Sequence, residues 1–259
     1  MNLMPSNNIP LFSIITIVYN DNQNIQETID SVISQTYANM EYIIIDGGSV
    51  DGTKEILKKN SNFLSYFVSE PDKGIYDAIN KGIAAATGKY IGLLHSGDLF
   101  FDKNTVQIIA NDFNKNNTDS IFADVDIVNA ANTNKTIRHY SGKNFSLWKL
   151  RIGLAPPHPT FYCKRDVYNR LGKYLTNYRV SADYEMMVRA FHKYKISYSY
   201  INSTLVKMRD GGESNNGIFG QLQQNMEIID AARRNKFYTN IALIAFKIPF
   251  RLIQYFLHK

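Results

Sequence analysis

Four strand-like stretches in the first hundred residues each lead into a turn that presents polar side chains. Asp98 closes the last of these turns, directly behind the apolar run 90–94. The carboxyl ends of parallel strands are where open α/β sheets bind their ligands. A hard divalent cation takes one or two carboxylates and completes its shell with phosphate oxygens and water. We therefore predict that Asp98 binds a cation beside a phosphorylated ligand, with Ser96 adding a hydroxyl, although this run can also cap the helix behind it.

Two other strand ends offer groups that suit a nucleoside base. Tyr19 follows the first apolar stretch, and a base stacked on its ring would gain ~1–3 kcal/mol. Asp46 opens a Gly-Gly turn and can accept a hydrogen bond from a ring N–H of the base. In each case a structural alternative remains: Tyr19 as a core residue, and the 46–53 segment as a glycine-rich turn before a capped helix.

The segment DKGIYDAINKG, residues 72–82, places a carboxylate and a lysine just before a predicted helix. A helix N-terminus favours anionic groups such as phosphate. We predict that Asp72, Lys73 and Asn80 contact the bound ligand. Any one of them alone is equally compatible with a solvated surface position.

Two residues further along the chain suit acid–base or acceptor roles. Asp183 lies in the run SADYE at the start of a predicted helix, where it either faces the crevice as a general base or shares with Ser181 the capping of the helix. His158 is held between prolines in PPHPT. It is either a structural histidine or part of an acceptor site.

The hydrophobic periodicity predicts the elements that position these groups. Apolar, β-branched runs indicate strands at 11–19, 41–45, 63–69 and 90–95, and helical spacing indicates helices at 24–36, 51–59 and 75–86. Such alternation predicts parallel strands joined by right-handed crossovers. Later segments are mixed, with helices at 103–113 and 183–194 and strands at 120–128, 135–140, 160–163 and 196–201. The predicted class is α/β, a Rossmann-like, mostly parallel sheet flanked by helices.

The C-terminal region differs from the rest. No linker precedes residue 217, so we predict a catalytic domain at 1–217, with halves 1–100 and 101–217, and a helical extension at 218–259. The polar residues of the extension fall on one helical stripe: Arg233, Lys236, Asn240, Lys247, Arg251, Gln254 and His258. This amphipathic helix, kinked at Pro249, either packs on the domain or lies on an anionic membrane surface, where each basic residue adds ~1 kcal/mol.

Composition limits the class of protein. The chain has 259 residues, 44% of them hydrophobic, which indicates a globular protein. The net charge is +6, but the basic residues are scattered and form no recognition motif, so nucleic acid is not an expected partner. The single cysteine excludes a disulfide framework, and the polar N-terminus lacks signal-peptide features. These features predict a cytoplasmic location.

Four blocks in this order resemble the inverting glycosyltransferases of family 2: residues 14–20 (IITIVYN), 45–53 (IDGGSVDGT), 70–82 (EPDKGIYDAINKG) and 94–98 (LHSGD). The resemblance is strong over about the first hundred residues and continues through PHPT and ADYE to about residue 217. It implies the A-type glycosyltransferase fold, with Tyr19 and Asp46 holding the base of a nucleotide-sugar. The family's Asp-x-Asp element corresponds to 96–98, a departure that leaves Asp98 as the carboxylate for Mn²⁺ or Mg²⁺.

The same resemblance assigns the base role to Asp183 and a donor-covering role to the glycine-rich run 209–214. The predicted function is transfer of a hexose or N-acetylhexosamine from a UDP-sugar to a hydroxyl of a saccharide acceptor, linked to lipid diphosphate. That chemistry suits synthesis of a surface polysaccharide such as O-antigen, by a peripheral enzyme on the inner face of the cell membrane. Two alternatives remain: a catalytically impaired sugar-nucleotide-binding protein, and a nucleotidyltransferase.

Overall fold

The computed structural model describes residues 10–211 and 217–247. Within these residues the strands are β1 (Phe12–Val18), β2 (Met40–Asp46), β3 (Tyr66–Ser69), β4 (Tyr90–Leu93), β5 (Leu99–Phe100), β6 (Ser120–Asn129), β7 (Asn132–Tyr140), β8 (Tyr162–Lys164) and β9 (Tyr198–Arg209). The helices are α1 (Ile25–Ile33), α2 (Thr53–Lys59), α3 (Ile75–Ala85), α4 (Thr105–Asn116), α5 (Leu147–Arg151), α6 (Arg165–Leu171), α7 (Ala182–Val188), α8 (Gly217–Arg234) and α9 (Ile241–Ala245).

The first hundred residues build the parallel half of the sheet. The strand order there is β3-β2-β1-β4, and each neighbouring pair runs parallel. Ile14 and Ile15 are both fully buried although they point to opposite faces of β1, because helices or loops cover both sides of the sheet. The crossover helices bury one stripe each, as α1 does with Ile25, Ile29 and Val32. The predicted strand–helix alternation is confirmed.

The second half of the sheet is mixed. β8 lies antiparallel between β4 and β6, while β9 runs parallel to β6 and antiparallel to the short β5. The hairpin predicted at 120–140 is present as β6 and β7. The α/β class, with a sheet flanked by helices, is confirmed. The mostly parallel arrangement applies to the first half alone.

Several elements differ from the predicted pattern, each for a local reason. β5 has two residues and α5 has five, so neither is long enough to show a period. β9 continues to residue 209, well beyond the predicted end at 201. A register shift against β6 near Asp124 interrupts its alternation there, because β9 contains extra residues at that point.

The C-terminal segment does not form the single helix predicted from Arg233 onward. Helix α8 ends at Arg234, and Lys236 adopts a left-handed conformation with φ of 54°. A new helix, α9, then starts behind Asn240, whose side chain accepts a hydrogen bond from the Leu243 N–H. The remainder of the predicted stripe, from residue 248 and including Pro249, lies outside the described residues.

The described part of this segment packs into the main core. Ile228 and Ile244 are almost fully buried in the same cluster as Met186 of α7. The predicted boundary at 217 therefore does not separate two packing units, and the packing alternative holds as far as residue 247. No helix in the described ranges has the length and apolar character needed to span a membrane.

Candidate active site

Asp98 lies at the end of the turn that follows β4, with a side chain that is 6% exposed. The turn depends on Gly97, whose φ of 91° is a conformation that side chains rarely adopt. Thr28 of α1 fixes the turn from below: its hydroxyl accepts a hydrogen bond from the Gly97 N–H and donates to the Asp98 carbonyl. The cap role considered for this run is not seen, because Asn104 precedes α4.

The surroundings of Asp98 suit a cation. Burial raises the pKa of its carboxyl to about 8, the nearby Asp21 carboxylate adds to this, and Arg209 opposes it through its backbone N–H and its charge. Ser96 donates a hydrogen bond of 2.6 Å to Asp21, so the hydroxyl and the two carboxylates are neighbours. A divalent ion would stabilise the ionised form of Asp98.

The described residues contain no group of three or more His, Cys, Asp or Glu side chains arranged to hold a metal. An ion at Asp98 would therefore take most of its ligands from phosphate oxygens and water, as Mg²⁺ usually does. The oxygen donors Asp98, Asp21 and Ser96 fit such an ion.

Tyr19 is 64% exposed at the end of β1, which rules out its alternative role as a core residue. Its ring borders Gly47: a Cβ atom at residue 47 would lie 3.3 Å from the ring and 2.5 Å from the Asp72 carboxylate. Tyr19, Gly47 and Asp72 therefore meet at one point on the sheet edge. Tyr19 and Asp72 fill the space that a side chain at residue 47 would need, and the exposed face of the Tyr19 ring is available for stacking of a flat ligand.

Asp46 is enclosed by the turn that follows β2. Its side chain is fully buried, and its oxygens accept hydrogen bonds from the Ser49 N–H and from the hydroxyls of Ser49 and Ser69. These bonds hold the turn after β2 against the end of β3. We therefore revise its predicted contact with the base: here Asp46 shapes the turn beneath the site, which is the glycine-turn alternative.

The loop before α3 is arranged largely as predicted. The Asp72 carboxylate accepts a hydrogen bond of 2.8 Å from the Gly74 N–H, which orders the loop just ahead of the helix. Lys73 is exposed, and its backbone N–H donates to Asp77 in the first turn of α3. Asp72 thus faces Gly47, and Lys73 lies at the helix N-terminus.

Asn80 has a different function from the predicted one. It is 9% exposed, its amide nitrogen donates to the Tyr174 carbonyl at 2.9 Å, and its amide oxygen accepts from the Tyr174 N–H at 2.8 Å. This pair of bonds ties α3 to the segment before α7. We therefore remove Asn80 from the ligand contacts, since both ends of its amide serve this link.

Asp183 is the second residue of α7, and its side chain is 30% exposed. One carboxylate oxygen lies 3.4 Å from Nδ1 of His158, the histidine held between prolines. Ser181 occupies the N-cap position, but its side chain makes no capping hydrogen bond. The capping alternative is therefore not supported. The Asp183 carboxylate and the His158 imidazole lie next to each other at the start of α7.

His95 connects this pair to the Asp98 turn. It follows β4, three residues before Asp98, and its ring centroid lies 6.1 Å from that of His158. Burial lowers the pKa of His95 to about 3, and the neighbouring His158 adds to this, so the ring is neutral. The turn after β4 and the start of α7 therefore meet at the same edge of the sheet.

The opposite face of α7 is fixed by a buried ionic network. Glu185 is 2% exposed; it accepts a hydrogen bond of 2.7 Å from Arg189 and one of 2.9 Å from Asn235. Arg189 in turn donates to the carbonyls of Leu171 and Lys173. Glu185 and Asp183, which are separated by one residue, thus differ in their environment. Glu185 is buried and paired, whereas the Asp183 side chain is partly exposed.

Two residues of the site were not singled out from sequence, Asp21 and His95, although both lie in strand-end turns that present polar groups. Arg209 opens the glycine-rich run 209–214, whose donor-covering role stays a prediction because residues 212–214 lie outside the described residues. Its guanidinium donates to Glu27 of α1 and to the carbonyl of Ala130.

The chain is similar in sequence to known proteins. Residues 13–172 match the family described as glycosyl transferase family 2. A Mycobacterium tuberculosis PGL/p-HBAD biosynthesis glycosyltransferase is 28% identical over 211 residues, covering 80% of each chain. An uncharacterised glycosyltransferase of the same species is 33% identical over 186 residues, covering 70% of this chain and 69% of the relative.

Solved structures share the fold at low identity. S. aureus TarS has a TM-score of 0.64 at 17% identity; the match covers 85% of this chain and 40% of TarS. A mannosyltransferase from Pyrobaculum calidifontis, in complex with GDP-Man and Mn²⁺, has a TM-score of 0.65 at 15% identity, covering 92% of this chain and 67% of the other. By the family match, which spans more than half of its length, this chain belongs to glycosyltransferase family 2.

Proposed function

We propose that this protein transfers a hexose or N-acetylhexosamine from a UDP-sugar to a hydroxyl group of a saccharide acceptor, with inversion at the anomeric carbon. The observation that supports this most is the meeting of two turns. His95 lies three residues before Asp98, in the segment that follows β4, and its ring lies beside that of His158. Nδ1 of His158 is in turn 3.4 Å from the Asp183 carboxylate. This proximity supports the proposal that the diphosphate and the base lie at the same edge of the sheet.

The proposed reaction is a single displacement. Asp183 takes the proton from the acceptor hydroxyl, whose oxygen forms a bond to the anomeric carbon of the donor sugar. The bond between that carbon and the diphosphate oxygen breaks, and UDP leaves with the electron pair. His158, within reach of the Asp183 carboxylate, orients it toward the acceptor.

Negative charge develops on the leaving diphosphate. This charge would be neutralised by Mn²⁺ or Mg²⁺ when one of these ions is bound. Asp98 would hold the ion, with Asp21 and Ser96 beside it, and Lys73 at the N-terminus of α3 adds positive charge from the chain itself.

A uridine nucleotide is the proposed donor. TarS, which shares the fold, has been solved in complex with UDP and with UDP-GlcNAc. In this chain Tyr19 provides the exposed ring for the base, with Asp72 next to it across Gly47. The test is a Mn²⁺-dependent thermal-shift and UDP-release screen with UDP-glucose, UDP-galactose, their N-acetyl forms and GDP-mannose. Stabilisation by GDP-mannose alone would overturn the choice of nucleotide.

The proposed acceptor is a saccharide on lipid diphosphate, used for a surface polysaccharide on the cytoplasmic side of the membrane. Its support is the PGL/p-HBAD biosynthesis relative and a set of exposed apolar side chains near the C-terminus: Leu222, Met226, Tyr238, Ile241 and Phe246. Arg233, 81% exposed at its side chain, and Arg234 both pair with Asp230, which leaves one net positive charge among these three residues. Apolar and basic side chains together favour an anionic membrane interface.

The membrane proposal is tested by flotation with vesicles of phosphatidylglycerol and of phosphatidylcholine. We expect binding to the anionic vesicles and its loss in an Ile241→Ser/Phe246→Ser variant. Phe63→Ser, at another exposed aromatic position on the donor half of the sheet, is the matched control and should still bind. Equal binding by wild type and the double variant would contradict the proposal.

One observation favours a second candidate, a sugar-nucleotide-binding protein with impaired catalysis. The metal element retains one carboxylate, with Ser96 and Gly97 in the preceding positions. Donor hydrolysis in the absence of acceptor separates the two functions. Slow release of UDP supports the transferase, whereas binding of the donor without any turnover supports the impaired protein.

A further inference from the structure

Helix α7 carries the proposed base Asp183, and we call it the base helix. The backbone that leads into it is held by a side chain from the C-terminal segment. Glu227 of α8 accepts hydrogen bonds from three consecutive N–H groups: Arg179 at 2.9 Å, Val180 at 3.0 Å and Ser181 at 2.9 Å. A carboxylate that accepts several backbone N–H groups makes charge-assisted bonds, which are stronger than neutral ones. Glu227 therefore fixes the main chain up to the N-cap of α7.

A tyrosine from the donor half continues this arrangement on the next two residues. The Tyr76 hydroxyl of α3 lies against the backbone N–H groups of Ala182 and Asp183. Its ring is 7% exposed and stacks on Tyr174, with centroids 6.0 Å apart and an interplanar angle of 8°. Burial raises the pKa of the Tyr76 hydroxyl, as does the nearby Asp183 carboxylate, so the group stays protonated.

Residues 179–181 thus donate three successive N–H groups to Glu227, and the next two N–H groups lie near the Tyr76 hydroxyl. The usual device at this position is a hydroxyl at the N-cap, yet the Ser181 side chain makes no capping bond. Within the described ranges, the close polar contact of the Asp183 side chain is the 3.4 Å approach to His158. Its position therefore depends on where the backbone holds it.

We infer that Glu227 and Tyr76 are positioning residues for the base, and that α8 is part of the catalytic apparatus. This inference rests on the proposed function, in which Asp183 is that base. Displacement of about 1 Å at a reacting group can reduce a rate on the order of 10²-fold, even when the change lies away from the chemistry. Donor binding uses other side chains, so kcat should change while the donor KM does not.

The experiment compares Glu227→Gln and Tyr76→Phe with the wild type. Glu227→Gln replaces one acceptor oxygen with an amide NH₂, which is a donor and cannot accept hydrogen bonds from the backbone N–H groups. Tyr76→Phe keeps the stacked ring and removes the hydroxyl. The matched control is Glu41→Gln. Glu41 also holds backbone N–H groups, those of Thr87 and Gly88, but it does so at the start of β2, at the opposite end from the site.

We expect kcat to fall about 10- to 100-fold in Glu227→Gln and less in Tyr76→Phe, with the donor KM within about twofold of wild type. The thermal midpoints of Glu227→Gln and Glu41→Gln should fall by similar amounts, while Glu41→Gln keeps its kcat. Equal kcat in Glu227→Gln and Glu41→Gln would overturn the inference, because a purely structural role predicts that result.

The Asp183→Asn variant separates this inference from the proposed function. If Asp183→Asn is inactive and Glu227→Gln is fully active, the positioning role fails and the base assignment stands. If Asp183→Asn retains normal kcat, the base assignment itself fails. Should Glu227→Gln not fold, Tyr76→Phe provides the same kcat-against-KM comparison from the other side of the helix.

Discussion

Two regions of this protein are built in different ways. One is the donor edge, the strand-end turns that are proposed to bind the donor; the other is the base helix, α7, which carries the proposed base Asp183. At the donor edge, bonds within a turn act beside long-range ones: Asp46 accepts from the Ser49 N–H three residues on and Asp72 from the Gly74 N–H two residues on. Thr28 of α1 holds the Asp98 turn from a distant part of the chain. At the base helix the backbone is held by Glu227, 46 to 48 residues away in the chain. The donor edge is therefore stabilised in part by bonds within its turns, whereas the position of the proposed base depends on a side chain from the C-terminal segment.

The sharpest separation of the two regions is expected from Asp183→Asn. The substitution removes the proposed base and keeps the shape of the side chain, so kcat should fall ~10²–10⁴-fold. The donor dissociation constant, measured by calorimetry, should stay within about twofold of wild type. Asp30→Asn, at an exposed carboxylate of α1, is the control and should behave as wild type. A near-normal kcat would show that the base lies elsewhere.

A smaller but opposite pattern is expected from Asp98→Asn. Loss of the buried carboxylate should weaken donor binding in the presence of Mn²⁺ on the order of 100-fold, because the ion links protein and diphosphate. Binding measured in EDTA should change little. An unchanged affinity with Mn²⁺ would place the metal, and with it the diphosphate, away from the turn after β4.

Substitution of Tyr19 tests the proposed stacking of the nucleobase on its ring. Tyr19→Ala should reduce donor affinity by ~1–3 kcal/mol through loss of stacking, and Tyr19→Phe should retain it. Titration with UDP alone measures both effects without turnover. If Phe weakens binding as much as Ala, the hydroxyl and not the ring is the contact.

The smallest effect on ligand binding is expected from Asn80→Ala. The change leaves the Tyr174 N–H and carbonyl without their partners, so the free energy of unfolding in urea should fall by ~1–3 kcal/mol. Donor affinity should not change. A clear loss of affinity in the folded variant would return Asn80 to the donor site and weaken the contrast between the two regions.

The same contrast explains what could be predicted from sequence. Strand–helix alternation in the first hundred residues is a local signal, and β1, predicted at 11–19, is observed at Phe12–Val18. Asp98, Asp72 and Tyr19 were predicted as ligand contacts because strand-end turns are visible in the sequence. The exposure of a side chain is not visible in this way: Asp46 and Asn80 have the right residue types and positions, but neighbouring groups use their hydrogen-bonding capacity.

The later half was predicted less well because its pattern depends on partners. The bulge in β9 follows from its pairing with β6, and the break between α8 and α9 follows from packing on the core. Glu227 is one of many polar residues on a helix surface, so nothing in its sequence context distinguishes it. Its role is visible in the folded structure, where its carboxylate accepts hydrogen bonds from the backbone of residues 179–181.

The paired support of the base helix affects how chimeric enzymes should be assembled. The family match ends at residue 172, which makes the stretch just before α7 an attractive junction for exchanging donor specificity between relatives. A crossover there would combine Tyr76 from one parent with the helix and Glu227 of the other. Hybrids that keep all three from a single parent are the ones in which a new donor preference can be gained without slowing the transfer step.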